Sequence, residues 1–181
     1  MKWTGDSHRY GAVAMAMHWA TAVAIFAMLG SGLMLEQAAE TAAGQVQLLR
    51  VHASVGILVV VLTLLRIGWW AFADRKPEEP AGMPRWQQAA ARWVHRLFYV
   101  LILTMGASGL AMLALSGAWT ILFAGGSGPL PDFALYPPRA PHGLGAWAMM
   151  GLIAMHVAAA LYHQLILKDG LLGRMGFGRA G

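Results

Sequence analysis

Residues 51–72, VHASVGILVVVLTLLRIGWWAF, decide the fold. Apart from His52 and Arg66 the run holds no ionisable side chain. As a helix it is about 33 Å long at 1.5 Å per residue, enough to cross a hydrocarbon core of roughly 30 Å. Lipid offers no partner to a backbone N–H or C=O, so such a segment has to pair its own, and a helix does so within one segment. The alternation of polar and apolar residues that marks a membrane barrel strand is absent.

Working outward, three further runs have the same character: Ala12–Leu35, Val94–Leu115 and Leu144–Leu167. The prediction is an all-α membrane protein, an antiparallel four-helix transmembrane bundle formed as a single domain over residues 1–181. Short polar stretches separate the runs: a linker with Glu36 and Glu40, a Pro-containing loop from Asp74 to Arg85, and a Gly/Pro-rich stretch around Gly125–Pro141. Composition agrees, with 58% hydrophobic and 12% charged side chains, against roughly 25% charge in soluble domains. The first run is followed by Ala38, Ala39, Ala42 and Ala43, as a cleaved leader would be. Its 24 residues exceed the 7–15 of a signal peptide's apolar region, so it reads as a retained span.

Cysteine is absent, which excludes disulfides, thiolate iron–sulfur clusters, thiolate zinc sites and covalent haem attachment. The net charge of +5 does not indicate nucleic acid, because the cations flank the apolar runs and act as topology determinants. Lys2, Arg9, Arg75, Lys76, Arg85, Arg92, Arg96, Lys168, Arg174 and Arg179 fall on one side, and only Arg50 and Arg139 on the other. The positive-inside rule then puts both termini in the cytoplasm. Arg66 is left inside the second span, about four residues from its cytoplasmic end, where it either snorkels to the interface or meets a haem propionate.

His18, His52, His142 and His156 lie within or at the edge of the spans, where an ionisable group is a functional candidate by default. His142 and His156 are 14 residues apart, about 21 Å along a helix and close to a whole number of turns, so they share a face. His156 and His18 then both lie about 9 Å from the cytoplasmic face, while His52 and His142 are level near the opposite one. The predicted pairs are His18 with His156 and His52 with His142. Two opposed imidazoles suit a planar iron macrocycle, since each neutral nitrogen supplies one axial bond. A zinc site needs three or four convergent ligands instead. Ala22, Gly56 and Gly145, three or four positions past a ligand candidate, either make room for a macrocycle or serve close helix packing.

The chain resembles the bacterial cytochrome b561 family over nearly its whole length. The resemblance rests on Met17-His18-Trp19, His52-Ala53-Ser54-Val55-Gly56 with Leu65-Arg66, His95-Arg96-Leu97-Phe98-Tyr99 leading to Ser108-Gly109, His142, the stretch from His156 to His163, and the tail Lys168-Asp169-Gly170-Leu171-Leu172-Gly173-Arg174-Met175. It implies two non-covalent haem b groups ligated by His18, His52, His142 and His156, and electron exchange with ubiquinone. For some relatives it further implies oxidation of periplasmic superoxide, and for others a membrane anchor that relays electrons between quinone and a separate dehydrogenase. A redox protein docked on the bundle and membrane lipid complete the expected partners.

The remaining candidates keep two readings each. Arg50 and Arg139, beside the outer ligands, either attract an anionic substrate or hold propionates and phospholipid. His95 is a propionate or quinone contact, or a rival of His18 for iron. His163, two turns past His156, is a proton donor to quinone or a wetted interfacial imidazole. Trp119, Phe123, Phe133 and Tyr136 shape a lid or form an aromatic belt. His8 reads as solvated tail, and the methionines as flexible apolar filling.

Overall fold

The computed structural model describes residues 2–37, 42–79 and 82–176. It is all-helical, with no strand among the described residues. Four helices are long and apolar enough to cross a membrane, and the chain is a multi-pass membrane protein. They are α1 (Ala12–Gln37), α2 (Ala42–Phe72), α3 (Arg85–Leu115) and α5 (Arg139–Tyr162), the last continued by a π-helical turn over His163–Leu167. A short α4 (Ala118–Phe123) and 3-10 turns at Phe133–Leu135 and Leu171–Met175 complete the described elements.

Large apolar side chains stay exposed along all four helices, among them Val23, Phe26, Leu64, Leu65, Val100 and Trp147. In water such a surface would drive aggregation. In lipid it is the solvated face, and the buried positions include small residues such as Ala14, Ala24, Thr21 and Thr63, which let helices approach closely.

The helices outrun the apolar stretches that announce them. α1 reaches Gln37, α2 begins at Ala42 instead of Val51, α3 at Arg85 instead of Val94, and α5 at Arg139 instead of Leu144. Hydropathy marks only the part of a helix that meets hydrocarbon, whereas i to i−4 hydrogen bonding continues through interfacial residues until proline or a turn stops it. Pro84 immediately precedes α3 and Pro138 precedes α5. α2 ends where the amides of Ala73 and Asp74 both return to the Trp69 carbonyl. The linker residues Ala38, Ala39 and Glu40, and Arg179 in the tail, lie outside the described residues.

The chain divides into two compact units. The first comprises residues 1–21, 62–99 and 150–181, and the second residues 22–61 and 100–149. Each unit takes alternately the start of one long helix and the end of the next, an arrangement that requires neighbouring helices to run antiparallel.

In the first unit the chain termini and the α2–α3 connection are tied together by Arg174. Its Nε donates to the His8 carbonyl at 2.7 Å, and its Nη2 to the carbonyls of Ser7 at 3.3 Å and Glu78 at 2.6 Å. Beside it Asp74 accepts from the Gly5 amide and from Trp69 Nε1, and Trp19 Nε1 donates to the Met175 carbonyl. Tyr10, in the same segment, has its phenol pushed above the ordinary value by burial.

In the second unit, Gly117 has φ 73°, the left-handed turn that glycine adopts without Cβ strain and that lets α4 fold back. Leu113, Ala118 and Leu122 form a buried cluster covered by Val46, Leu49, Ala53, Leu130 and Phe133. Phe133 is therefore part of the packing, whereas Trp119 and Phe123 pair at 4.9 Å between ring centroids and remain largely exposed.

Replacing Arg174 by alanine removes three hydrogen bonds from a charged donor. The expected outcome is faster amide hydrogen exchange at residues 5–10 and 74–79 together, with the exchange of the long helices unchanged.

Candidate functional site

The four span histidines meet as two couples, each inside one unit. His18 of α1 and His156 of α5 have ring centroids 6.5 Å apart with planes at 64°. His52 of α2 and His142 of α5 have centroids 6.3 Å apart with planes at 62°. A direct N–H···N hydrogen bond of about 3 Å would bring the centroids to roughly 5.2 Å. Two imidazoles that bind one metal atom from opposite sides through bonds of about 2.0–2.1 Å have centroids roughly 6–6.5 Å apart. Both couples are too widely spaced for a direct hydrogen bond and compatible with the second arrangement. Among the described residues no three His, Asp or Glu side chains converge on a metal site.

What surrounds the rings of the second unit fixes their protons. Ser31 Oγ donates to the Ala27 carbonyl at 2.8 Å and lies 2.8 Å from His52 Nδ1. Its one proton is used on the carbonyl, so it accepts from His52 Nδ1–H. Ser108 Oγ likewise donates to the Met105 carbonyl at 2.9 Å, and His142 Nδ1 lies 3.1 Å from both that carbonyl and Ser108 Oγ. A carbonyl can only accept, so His142 also carries its proton on Nδ1. Both rings are left with the Nε2 lone pair free for a metal.

The glycine after each serine lies beside the ring, with ordinary room for a Cβ at Gly32 and a tight fit at Gly109. A Cβ on Gly32 would stand 3.5 Å from His52 Cε1, and one on Gly109 would stand 3.3 Å from His142 Cε1. Each serine is also three residues past a methionine that covers a glycine on the ligand helix. Met28 lies over Gly56, and Met105 lies over Gly145. Gly56 and Gly145 thus serve helix packing against methionine. The pattern Met-x-x-Ser-Gly occurs at Met28–Gly32 on α1 and at Met105–Gly109 on α3, each time serving a histidine of the following long helix. Sequence reasoning missed Ser31, and placed Ser108-Gly109 without a role. The repeat of the five-residue pattern was the available signal.

The first unit is built differently. His18 Nδ1 faces Arg66 Nη1 at 3.2 Å, so the interior arginine meets an imidazole. His95 donates from Nδ1 to its own helix, at the Ala91 carbonyl, 2.7 Å away. Its ring is 5.4 Å from that of His156, as is Phe98, which is closer than two imidazoles can stand across a shared metal. His18 is the partner whose spacing admits an atom between.

The outlying candidates have partners of their own. Arg50 Nε donates to the Leu122 carbonyl at 2.7 Å, closing the last turn of α4, and Nη1 to Gln47. Arg139 forms an ion pair with Glu36 at 2.9 Å. His163, on the π-helical turn, bonds through Nδ1 to Asp169, whose other oxygen accepts from the Leu171 amide. Asp169 belongs to the tail motif Lys168–Met175. The tight Lys168-Asp169-Gly170 reversal, with Lys168 at φ 54° and Gly170 at φ 72°, is what turns it back onto His163.

The sequence pattern of the family described as Prokaryotic cytochrome b561 matches residues 9–178. The chain is 28% identical over 183 residues to cytochrome b561 homolog 2 of Escherichia coli strain K12, covering 97% of this chain and 95% of that protein. It is 33% identical over 170 residues to cytochrome b562 of Cereibacter sphaeroides, covering 92% of this chain and 94% of that one. Cytochrome b561 homolog 1 of Escherichia coli strain K12 is 32% identical over 130 residues, covering 68% and 72%. The chain belongs to the prokaryotic cytochrome b561 family, and its function is haem b electron transfer in a membrane.

Proposed function

We propose that the chain holds two haem b groups, one between His18 and His156 and one between His52 and His142. Through them it passes electrons between a periplasmic donor, superoxide first among the candidates, and ubiquinone in the bacterial inner membrane. The observation that carries this reading is the ring spacing of 6.5 and 6.3 Å in the two couples. Haem b held by these histidines would supply a one-electron couple.

The chain's own residues do the rest. Ser31 and the Met105 carbonyl hold the Nδ1 protons of His52 and His142, which presents Nε2 as the donor and raises its basicity. Gly109 lets the His142 ring approach its helix. The cation distribution supports an orientation with His52 and His142 toward the periplasm. There Arg139 is offset by Glu36, while Arg50 binds neutral acceptors and keeps its charge available to a small anion. At the cytoplasmic end the His163–Asp169 pair couples an imidazole to a carboxylate, an arrangement suited to delivering a proton to a reduced quinone.

Purified protein is expected to show the pyridine haemochrome of haem b at two per chain. His52→Ala or His142→Ala should remove one haem and leave the other, and a spectrum without haem in the unmodified protein would end this reading. Stopped-flow mixing with superoxide should reduce the haems and ubiquinone should reoxidise them. Arg50→Gln should slow the first step several-fold at low salt and little at high salt. Haems that superoxide leaves oxidised but a docked dehydrogenase reduces would make the chain a relay anchor.

Ser31→Ala leaves His52 Nδ1–H without its acceptor, whereas Ser108→Ala leaves His142 bonded to the Met105 carbonyl. The first change should weaken haem retention at that site by about 10–100-fold, and the second should do so markedly less, measured by haem transfer to apomyoglobin.

A further inference from the structure

Arginine has only donors, so the Arg66 contact fixes His18 Nδ1 as an acceptor and puts that ring's proton on Nε2. This is the tautomer opposite to that of His52 and His142. An imidazole that binds iron through neutral Nε2 carries its proton on Nδ1, and an Nδ1–H cannot face a guanidinium donor. Iron ligation by His18 and the Arg66–His18 bond are therefore mutually exclusive.

The surroundings show what takes the guanidinium instead. Arg66 Nε is buried with no hydrogen-bond partner among the described residues, and so is Trp70 Nε1, one helical turn further along the same face of α2. The Lys76 ammonium stands 5.8 Å from the Trp70 ring centroid. Partial desolvation, then the guanidiniums of Arg66 and Arg96, pull that ammonium below its ordinary value. Glu79, the acidic side chain that also acts on Lys76, is paired with Arg92 at 3.2 Å. Spare N–H donors and unbalanced positive charge together call for an anion with two acceptor oxygens, which a carboxylate provides and a quinone carbonyl does not.

We propose that Arg66, Trp70 Nε1 and Lys76 form a carboxylate clamp for a propionate of the haem at His18 and His156, and that capture of this propionate by Arg66 releases His18 to bind iron. The proposal rests on the two-haem reading above, deepens it at one site, and makes Arg66 a positioning residue acting on His18.

The test uses the intact holoprotein with Arg66→Gln and, separately, Trp70→Phe, which deletes a single N–H. Haem per chain, the two reduction midpoints from an equilibrium titration, and the propionate bending band in resonance Raman are measured for each. Arg66→Gln is expected to reduce haem from two per chain to one, or to keep both while lowering one midpoint and shifting the propionate band. Trp70→Phe is expected to act in the same direction and less strongly, with the His52–His142 haem unmoved in both. Two haems with unaltered midpoints and an unaltered propionate band in both variants would overturn the clamp, as would a rise in the KM for ubiquinone as the sole change. If Arg66→Gln yields no haem at all, Trp70→Phe decides by the same criteria. Absence of haem from the unmodified protein would count against the functional reading itself.

Discussion

An imidazole has two nitrogens and, when neutral, one proton, so a medium without water leaves each ring in the bundle a single decision to make. A hydroxyl oxygen or carbonyl at Nδ1 draws the proton there and exposes a lone pair on the far side. A guanidinium at Nδ1 does the reverse. The chemistry available at each couple follows from that local choice, and the helices are arranged around it: α1 supplies the oxygen for His52 of α2, and α3 supplies it for His142 of α5.

The two couples are close in ring spacing and different in how their rings are held. In the second unit a five-residue pattern, used once on α1 and once on α3, brings a serine against a histidine and a glycine under its edge. In the first unit a charged side chain from α2 takes the serine's place at His18, and a third imidazole, His95, stands beside His156. Positive charge near a haem stabilises its reduced form, so the two haems of the proposed function would differ in potential by construction of the protein and not by ligand type.

The spans were legible because an apolar length of about 20 residues is a signal that sequence carries directly, and the rise of 1.5 Å per residue led in the same way to the histidine couples proposed as ligand pairs. The helix ends at Ala42, Arg85 and Arg139 were not, because hydropathy reports the solvent around a helix and not its hydrogen bonding. Asp169 reaches His163 only through a backbone reversal at Lys168 and Gly170, whose dihedral angles no composition reveals. Arg50 and Arg139 were legible as charges but not as bonded groups, since Leu122 and Glu36 reach them only in the fold. Ser31 was hidden for a different reason: a lone hydroxyl in an apolar span commonly bonds back to its own helix, and Ser31 does that as well as accepting from His52.

The three carbonyls gathered by Arg174 come from the amino-terminal segment and from the connection between α2 and α3. One side chain thus makes three stretches of chain, distant in sequence, into a single mechanical element. Tension applied at the carboxyl end is carried sideways into both of the others, and must break that knot before it can draw a helix out of the lipid.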